Sequence, residues 1–460
     1  MGPYLKSEKD TSTIMRHLIV ALIPIVIFAY IKNGIIPFVK GYTDVFGMFY
    51  PLIFIFICMA STFFFESLYR IIFQKKKIKE ALENSYSFFP GLFLGLILPI
   101  NTPIVLLILA AFVSSIIAKM LFGGFGNNIF NPALVGRLFI ISAYAIVIGK
   151  NGGYLNSYEI DTISSGTPLT NASLINGIGT YNSLVKPYGS LMNFFIGTIP
   201  GCVGETSALL CLLAFVYLTY FKAIKWKIPV FYILTVFSIT YVIGGMNNLG
   251  IWYPLFQIFS GGLMFGAVFM ATDPVTSPVT PIGQILYGIF LGILTVVFRF
   301  LTPFPEGVLT SILTMNMFVM ILDKIGSIAR FNFKVTVVPF VIAWFLIFGL
   351  GIGISLNFKN VKKDKNFSIL EKNVSGSKIS YVVTQKGYSS VIKARIVIDN
   401  KKVSEFTVLE QNDSFYQKVM DEDYTNKLIL DSDIDTVTGA TVTSTALKTM
   451  LKNTLEDYGE

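Results

Sequence analysis

The sequence predicts a polytopic α-helical membrane protein of about eleven spans, followed by a small external α+β domain. Three observations carry that expectation. The 460 residues are 53% hydrophobic and only 14% charged, with a mean hydropathy of +0.66, far from the composition of a soluble domain. Apolar runs of about 18 to 20 residues recur through the first 356 positions, each long enough to cross ~30 Å of hydrocarbon. The tail beyond them balances 15 basic residues against 15 acidic ones and reads as alternating strand and helix patterns.

In chain order the expected spans are 18–38, 47–66, 86–100, 102–122, 137–149, 207–221, 228–245, 253–270, 282–301, 306–323 and 336–356. Met1 to His17 is polar, and the first apolar run leads into further spans, so no cleavable signal peptide is expected. Residues 1–356 hold 21 Lys and Arg against 12 Asp and Glu, which places the whole formal charge of +9 in the membrane part. Such an excess reflects topology and anionic membrane lipid rather than nucleic acid. The basic connections are Lys75-Lys76-Lys77-Ile78-Lys79, Lys222 with Lys225 and Lys227, and Lys324 with Arg330 and Lys334. With a cytoplasmic N-terminus, alternation over eleven spans puts all three clusters inside. It puts 150–190 and the tail from 357 outside.

Cysteine and histidine usage excludes several chemistries. Cys58, Cys202 and Cys211 are dispersed, no Cys-x-x-Cys occurs, and His17 is the sole histidine. Iron–sulfur clusters, c-type haem and ordinary zinc sites are therefore not expected from this chain. The three thiols read as small apolar residues in helices. Redox work would need a cofactor that uses neither residue type.

Three stretches break the helical pattern: Gly123–Arg137 with its Asn131-Pro132, Gly197–Glu205, and Ala271–Pro278. Irregular backbone at membrane depth survives only where protein or a wet cavity surrounds it, and broken helices are a common way to build a binding site. Phe88-Phe-Pro-Gly91 loosely echoes Phe194-Phe-Ile-Gly197, which points to an inverted repeat. Glu205 and Asp273 stand beside the breaks. Each reads either as part of a cation or proton path, or as a helix cap or local ion-pair partner.

The tail opens with a strand-like run, Val391–Ile398, then turn chemistry at Asp399-Asn400-Lys401 and a return carrying Val403, Phe406 and Val408. Ser444–Leu455 follows as a helix with Leu447, Leu451 and Leu455 on one face. One pattern occurs twice. Asp161-Thr-Ile-Ser-Ser-Gly-Thr167 lies between spans, and Asp435-Thr-Val-Thr438-Gly439-Ala440-Thr441 lies just before the tail helix. Each offers a threonine hydroxyl on small neighbours, six residues after a carboxylate, which suits esterification by a phosphate-bearing group. Thr441 is expected just ahead of a helix N-terminus, where free N–H groups favour phosphate. The bland reading of each copy is a turn followed by a cap.

These stretches carry a resemblance. The Gly-rich Asn-Pro-Ala segment, Pro200-Gly-Cys-Val-Gly-Glu205, Ala271-Thr-Asp-Pro-Val-Thr-Ser-Pro278 and the Thr167 pattern make residues 1–335 similar to the D subunit of Rnf-type ion-translocating electron-transport complexes. That protein is similar in turn to the B subunit of the sodium-translocating NADH:quinone reductase. Residues 336–356 resemble the single span, and 357–460 the external flavin domain, of the Rnf G subunit. The resemblance implies FMN joined through its phosphate to Thr167 and Thr441 by a separate flavin transferase. Asp435, Thr438, Gly439 and Ala440 would frame the second attachment. The tail's Thr438-Gly-Ala-Thr441 follows the family pattern closely, whereas the inner copy has Ser165 and Gly166 where Gly and Ala are usual. A further, non-covalent flavin such as riboflavin within the bundle stays open. The implied partners are the other Rnf subunits (A, B, C and E), which would supply iron–sulfur, ferredoxin and NAD sites. The implied role is electron relay coupled to Na⁺ or H⁺ movement. Two alternatives stand beside it: outward electron transfer without pumping, and a channel or transporter with a non-redox external domain.

Overall fold

The computed structural model describes residues 11–77, 86–150, 167–174, 178–302, 307–329, 333–361, 367–375, 378–387, 390–399, 402–412, 416–421, 423–430 and 440–459. The chain divides into two units, Met1–Ser355 and Leu356–Glu460.

The first unit is helical, and the chain is a multi-pass membrane protein. Six described helices are long and apolar enough to cross a bilayer: α1 (Thr11–Val39), α2 (Val45–Ile72), α8 (Lys227–Met246), α11 (Pro281–Leu301), α12 (Val308–Ala329) and a helix whose apolar stretch is Val337–Leu356. That last helix, α13, runs over Phe333–Val361. A seventh span forms if α9 (Trp252–Phe259) and α10 (Leu263–Met270), bent by 66° at their junction, count as one. Four expected spans are shorter helices: α3 (Phe88–Ile97), α4 (Ile104–Met120), α5 (Pro132–Lys150, with non-helical backbone at Tyr144) and α7 (Ala208–Tyr220). Between α5 and α7 lies α6 (Pro168–Leu174).

The breaks are where chemistry dictates them. Leu98 and Ser260 take extended backbone and close α3 and α9. Gly261 and Gly262 at φ +66 then supply the left-handed turn that only glycine makes cheaply. Order repeats on either side of the unit. A long helix (α2, α8) is followed by a short one (α3, α9), a break, and a helix ending in π geometry (α4 from Val113, α10 from Gly266). An irregular loop then leads to a helix opened by proline, Pro132 in α5 and Pro281 in α11. The echo read at 88–91 and 194–197 does not mark this correspondence. Phe88 opens α3, whereas Gly197 is the left-handed cap that closes the short helix Leu191–Ile196.

Close packing rests on glycine. A Cβ at Gly292 of α11 would lie 2.6 Å from Thr235 Cβ of α8, and one at Gly288 would lie 2.8 Å from the Ile228 carbonyl oxygen. The three cysteines are fully buried, Cys58 and Cys211 inside helices and Cys202 within a break.

The second unit carries a four-stranded antiparallel meander in the order β1 (Phe367–Ser375), β2 (Lys378–Lys386), β3 (Val391–Asp399) and β4 (Lys402–Glu410). Period-two alternation sends Ile392, Ala394, Ile396 and Ile398 into the core, paired across to Val383, Tyr381 and Phe406. Two short helices, α14 (Tyr416–Asp421) and α15 (Tyr424–Leu430), precede α16 (Thr441–Gly459). Leu447, Met450 and Leu451 of α16 complete the core against the sheet, with Leu455 at its margin. The expected hairpin β3–β4 and terminal helix are present. The pattern of residues does not announce β1 and β2. Glu371, Lys372 and Asn373 stand together in the middle of β1 and interrupt its alternation, and the β1–β2 register shifts between Ile369 and Glu371.

Candidate functional site

In the first unit, α3, α4 and the two irregular loops 121–131 and 271–280 surround a partly open cleft. Tyr86, Phe89 and Phe93 come from α3 and its approach, Phe125, Asn128 and Asn131 from the first loop, and Phe269, Thr272 and Asp273 from the second repeat. Met15 and Leu18 of α1 and Ala223 and Ile224 close it from the side. The loops hold their shape through polar caps. Asn131 Oδ1 accepts from Ala133 N (3.2 Å) and starts α5. Asp273 accepts from Val275 N (3.3 Å) and Thr276 Oγ1 (3.0 Å). Asp323 of α12 accepts from Val279 N (2.9 Å) and Thr280 N (2.8 Å), fixing the start of α11. Asn316, with its amide nitrogen toward the Thr276 carbonyl (3.2 Å), accepts from Asn131 N (3.1 Å) and so ties the two loops together. Lys225, between α7 and α8, donates to Ser277 Oγ (2.9 Å). Burial holds its ammonium below the usual lysine pKa, against the opposing pull of Asp273 and Asp323.

Charge enters the cleft through Lys119, at the π-helical end of α4. It is 2% exposed, lines the cleft, and lies 5.7 Å from the Phe125 ring centroid. Its Nζ lies 2.7 Å from Glu66 Oε2, and Arg70 Nη2 donates to Glu66 Oε1 at 2.8 Å. Ionisable groups buried inside a membrane bundle mark function by default, and π-bulges concentrate at functional sites. Glu66, Arg70 and Lys119 are absent from the residues singled out by motif. A signal for them exists in the sequence: a carboxylate and an ammonium inside otherwise apolar runs.

The second acid singled out, Glu205, makes an ion pair. Arg137 of α5 donates through Nη1 to Oε2 (2.9 Å) and through Nη2 to Oε1 (3.3 Å), and the same Nη2 reaches Cys202 Sγ at 3.4 Å. Lys32 of α1 donates to Ile199 O (2.6 Å) and Thr206 Oγ1 (2.8 Å), and Asn33 to Val203 O (3.1 Å). The break at 197–207 is thereby clamped from α1 and α5. A Cβ at Gly262 would come within 2.8 Å of Glu205 Cδ, so the carboxylate fits at the start of α10 only because glycine stands there. Glu205 and Asp273 thus occupy different places: one a buried ion pair, the other the wall of the cleft.

Thr167 is 3% exposed and stands at the head of α6. Its Oγ1 accepts from Thr170 N (3.3 Å) and is hydrogen-bonded to Thr170 Oγ1 (2.9 Å). That is the geometry of a helix N-cap. Leu169, two residues on, packs against Gly261 at the α9–α10 break. Asp161 and the rest of this copy of the pattern lie outside the described residues.

In the second unit, Asp435, Thr438 and Gly439 also lie outside the described residues. Ala440 is 3% exposed and belongs to the core, which explains its small size. Thr441 is the first residue of α16 rather than the residue before it, a difference of the size that helix ends carry. Ser444 N bonds to the Ala440 carbonyl (3.0 Å), closing the first turn. Thr441 therefore stands at a helix N-terminus, a setting that favours a phosphate group.

Comparison with known proteins follows this division. Residues 1–332 match the model of the NQR2, RnfD, RnfE family, and residues 387–456 match the FMN-binding domain. The D subunit of the proton-translocating ferredoxin:NAD(+) oxidoreductase complex of Clostridium ljungdahlii is 32% identical over 335 residues, covering 72% of this chain and 95% of that one. The D subunit of the Na(+)-translocating ferredoxin:NAD(+) oxidoreductase complex of Acetobacterium woodii is 33% identical over 330 residues, covering 70% and 91%. The B subunit of the Na(+)-translocating NADH-quinone reductase of Chromohalobacter salexigens is 34% identical over 269 residues, covering 57% and 62%.

Proposed function

Because the chain belongs to the NQR2, RnfD, RnfE family and ends in an FMN-binding domain, we propose that it is a flavoprotein subunit of an Rnf-type ion-translocating ferredoxin:NAD⁺ oxidoreductase. It relays electrons through FMN, coupled to Na⁺ or H⁺ movement. The observation that carries this reading is the joining, in one polypeptide, of a family membrane unit and a flavin-binding match that contains Thr438-Gly-Ala-Thr441.

FMN is esterified through its phosphate to Thr441 and to Thr167 by a flavin transferase. At Thr441 the phosphate would lie at the N-terminus of α16, where the helix dipole favours negative charge. At Thr167 the oxygen stays in place on esterification but loses its proton, so it can only accept from Thr170, and the buried head of α6 has to open. When bound, the flavin supplies the one- and two-electron chemistry, and the protein supplies position and electrostatics. The N-terminus lies in the cytoplasm and the C-terminal domain outside, with the other Rnf subunits (A, B, C and E) as partners.

The aromatic cleft takes a non-covalent flavin of the riboflavin type. Stacking faces come from Phe89, Phe93, Phe125 and Phe269, and amide and charged edges from Asn128, Asn131, Lys119 and Asp273.

In-gel fluorescence of the denatured chain, co-expressed with a flavin transferase, tests the covalent sites. Thr441→Val and Thr167→Val should each remove one part of the signal, and the double variant all of it. A dark parent chain under those conditions would reject both attachments.

A further inference from the structure

Lys119 belongs to two environments at once. Its ammonium closes an ion pair with Glu66 of α2, which is 1% exposed and outside the cleft lining, while its side chain also forms part of the cleft wall. Glu66 holds a second cation, Arg70, at 2.8 Å, so it would keep a partner if Lys119 moved. Asp273 stands on the same cleft wall from the other repeat, so a ring bound there meets one cation and one carboxylate. The cleft is therefore sensitive to the charge of its occupant. The sensor is tied to a buried acid on a different helix.

We propose that Lys119 is a positioning residue that links the charge of a flavin-type ring in the cleft to Glu66. This rests on the cleft reading above. Two electrons from the low-potential carriers of the complex, together with one proton, convert a neutral ring to one bearing a single negative charge. No proton leaves Lys119. The new charge attracts the Lys119 ammonium, whose share in Glu66 weakens, and Glu66 is left with Arg70. Glu66 and Lys119 are 1% and 2% exposed, so solvent screens the Coulomb force between them little. Glu66 and the cleft thus compete for one ammonium.

That competition gives two variants opposite signs. The test uses the full chain purified in detergent with Thr167→Val and Thr441→Val, so that no covalent flavin contributes. Riboflavin is the probe, and equilibrium dialysis gives its affinity in oxidised and in chemically reduced form. Lys119→Gln should weaken reduced relative to oxidised riboflavin by about tenfold or more, and Lys119→Arg should restore most of the ratio. Glu66→Gln, which releases Lys119 to the cleft, should move the ratio the other way, toward tighter binding of the reduced form. If Lys119→Gln does not yield folded protein, the sign found with Glu66→Gln decides by itself. Riboflavin bound with an unchanged ratio, or with both variants shifting it in one direction, overturns the role of Lys119 alone. Failure of the parent chain to bind either form overturns the cleft reading and this inference with it.

Discussion

Arg137→Met is expected to destabilise the membrane unit by about 3–5 kcal/mol, because it strands the Glu205 carboxylate in the bundle without its main partner. Both side chains are almost fully buried, Arg137 at 5% and Glu205 at 6% exposure, so solvent screens little of the loss. The two hydrogen bonds from Arg137 to Glu205 and the contact with Cys202 Sγ disappear together. Lys32 stays nearby, but it donates to Ile199 O and Thr206 Oγ1 and cannot replace the bidentate geometry. Thermal melting of the detergent-purified chain, followed by size-exclusion fluorescence, reads the effect as a lower midpoint. The companion variant Arg137→Met with Glu205→Met recovers most of the loss, since removing both charges also removes the stranded one. A single variant that melts with the parent would show that the pair contributes nothing.

Gly91→Ala is expected to separate α3 from α2. A Cβ there would lie 2.6 Å from the Cys58 carbonyl oxygen and 2.7 Å from Met59 Cα, and would also strike Thr62 Oγ1. The first two are backbone atoms, so no rotamer change relieves them and one helix must shift. Overpacking of this kind costs about 1–3 kcal/mol, and more where backbone has to move. The functional effect should exceed the stability effect. Phe89, Pro90 and Phe93 of α3 line the cleft, and α2 carries Glu66 one turn beyond Thr62. Riboflavin affinity should fall at least tenfold. Gly245→Ala in α8, where a Cβ meets open space, serves as the control and should leave both stability and binding near the parent values. Equal behaviour of the two glycine variants would refute the close α2–α3 contact.

Much of the molecule is legible in local pattern. Hydropathy alone separates the bundle from the tail, and β3, β4 and α16 follow from period-two and period-3.6 spacing. The helices that fall short of a full span, α3, α4, α5 and α7, adjoin the Gly-, Pro- and Asn-rich stretches at 98–103, 121–131 and 197–207. Composition marks the last two as irregular but does not say where the helices on either side stop. The strand β1 escapes pattern reading because polar residues cluster inside it and its register slips beside them, which leaves β2 without a recognisable hairpin partner. Glu205 and Asp273 stand out because they adjoin breaks, and Arg137 because it closes the first of them, whereas Glu66 and Lys119 sit within apolar runs and carry no motif of their own.

By itself, the sequence determined that this is a multi-pass membrane protein with a small α+β tail domain, and it marked Thr167 and Thr441 as paired hydroxyls. Those properties are written in hydropathy, periodicity and short motifs, which are local along the chain. Only the tertiary structure decided what each buried charge meets. Lys119 reaches Glu66 across 53 residues and Arg137 reaches Glu205 across 68. A charge buried in a bundle must find a partner wherever the helices happen to bring one, and that partner is set by packing geometry rather than by distance along the chain.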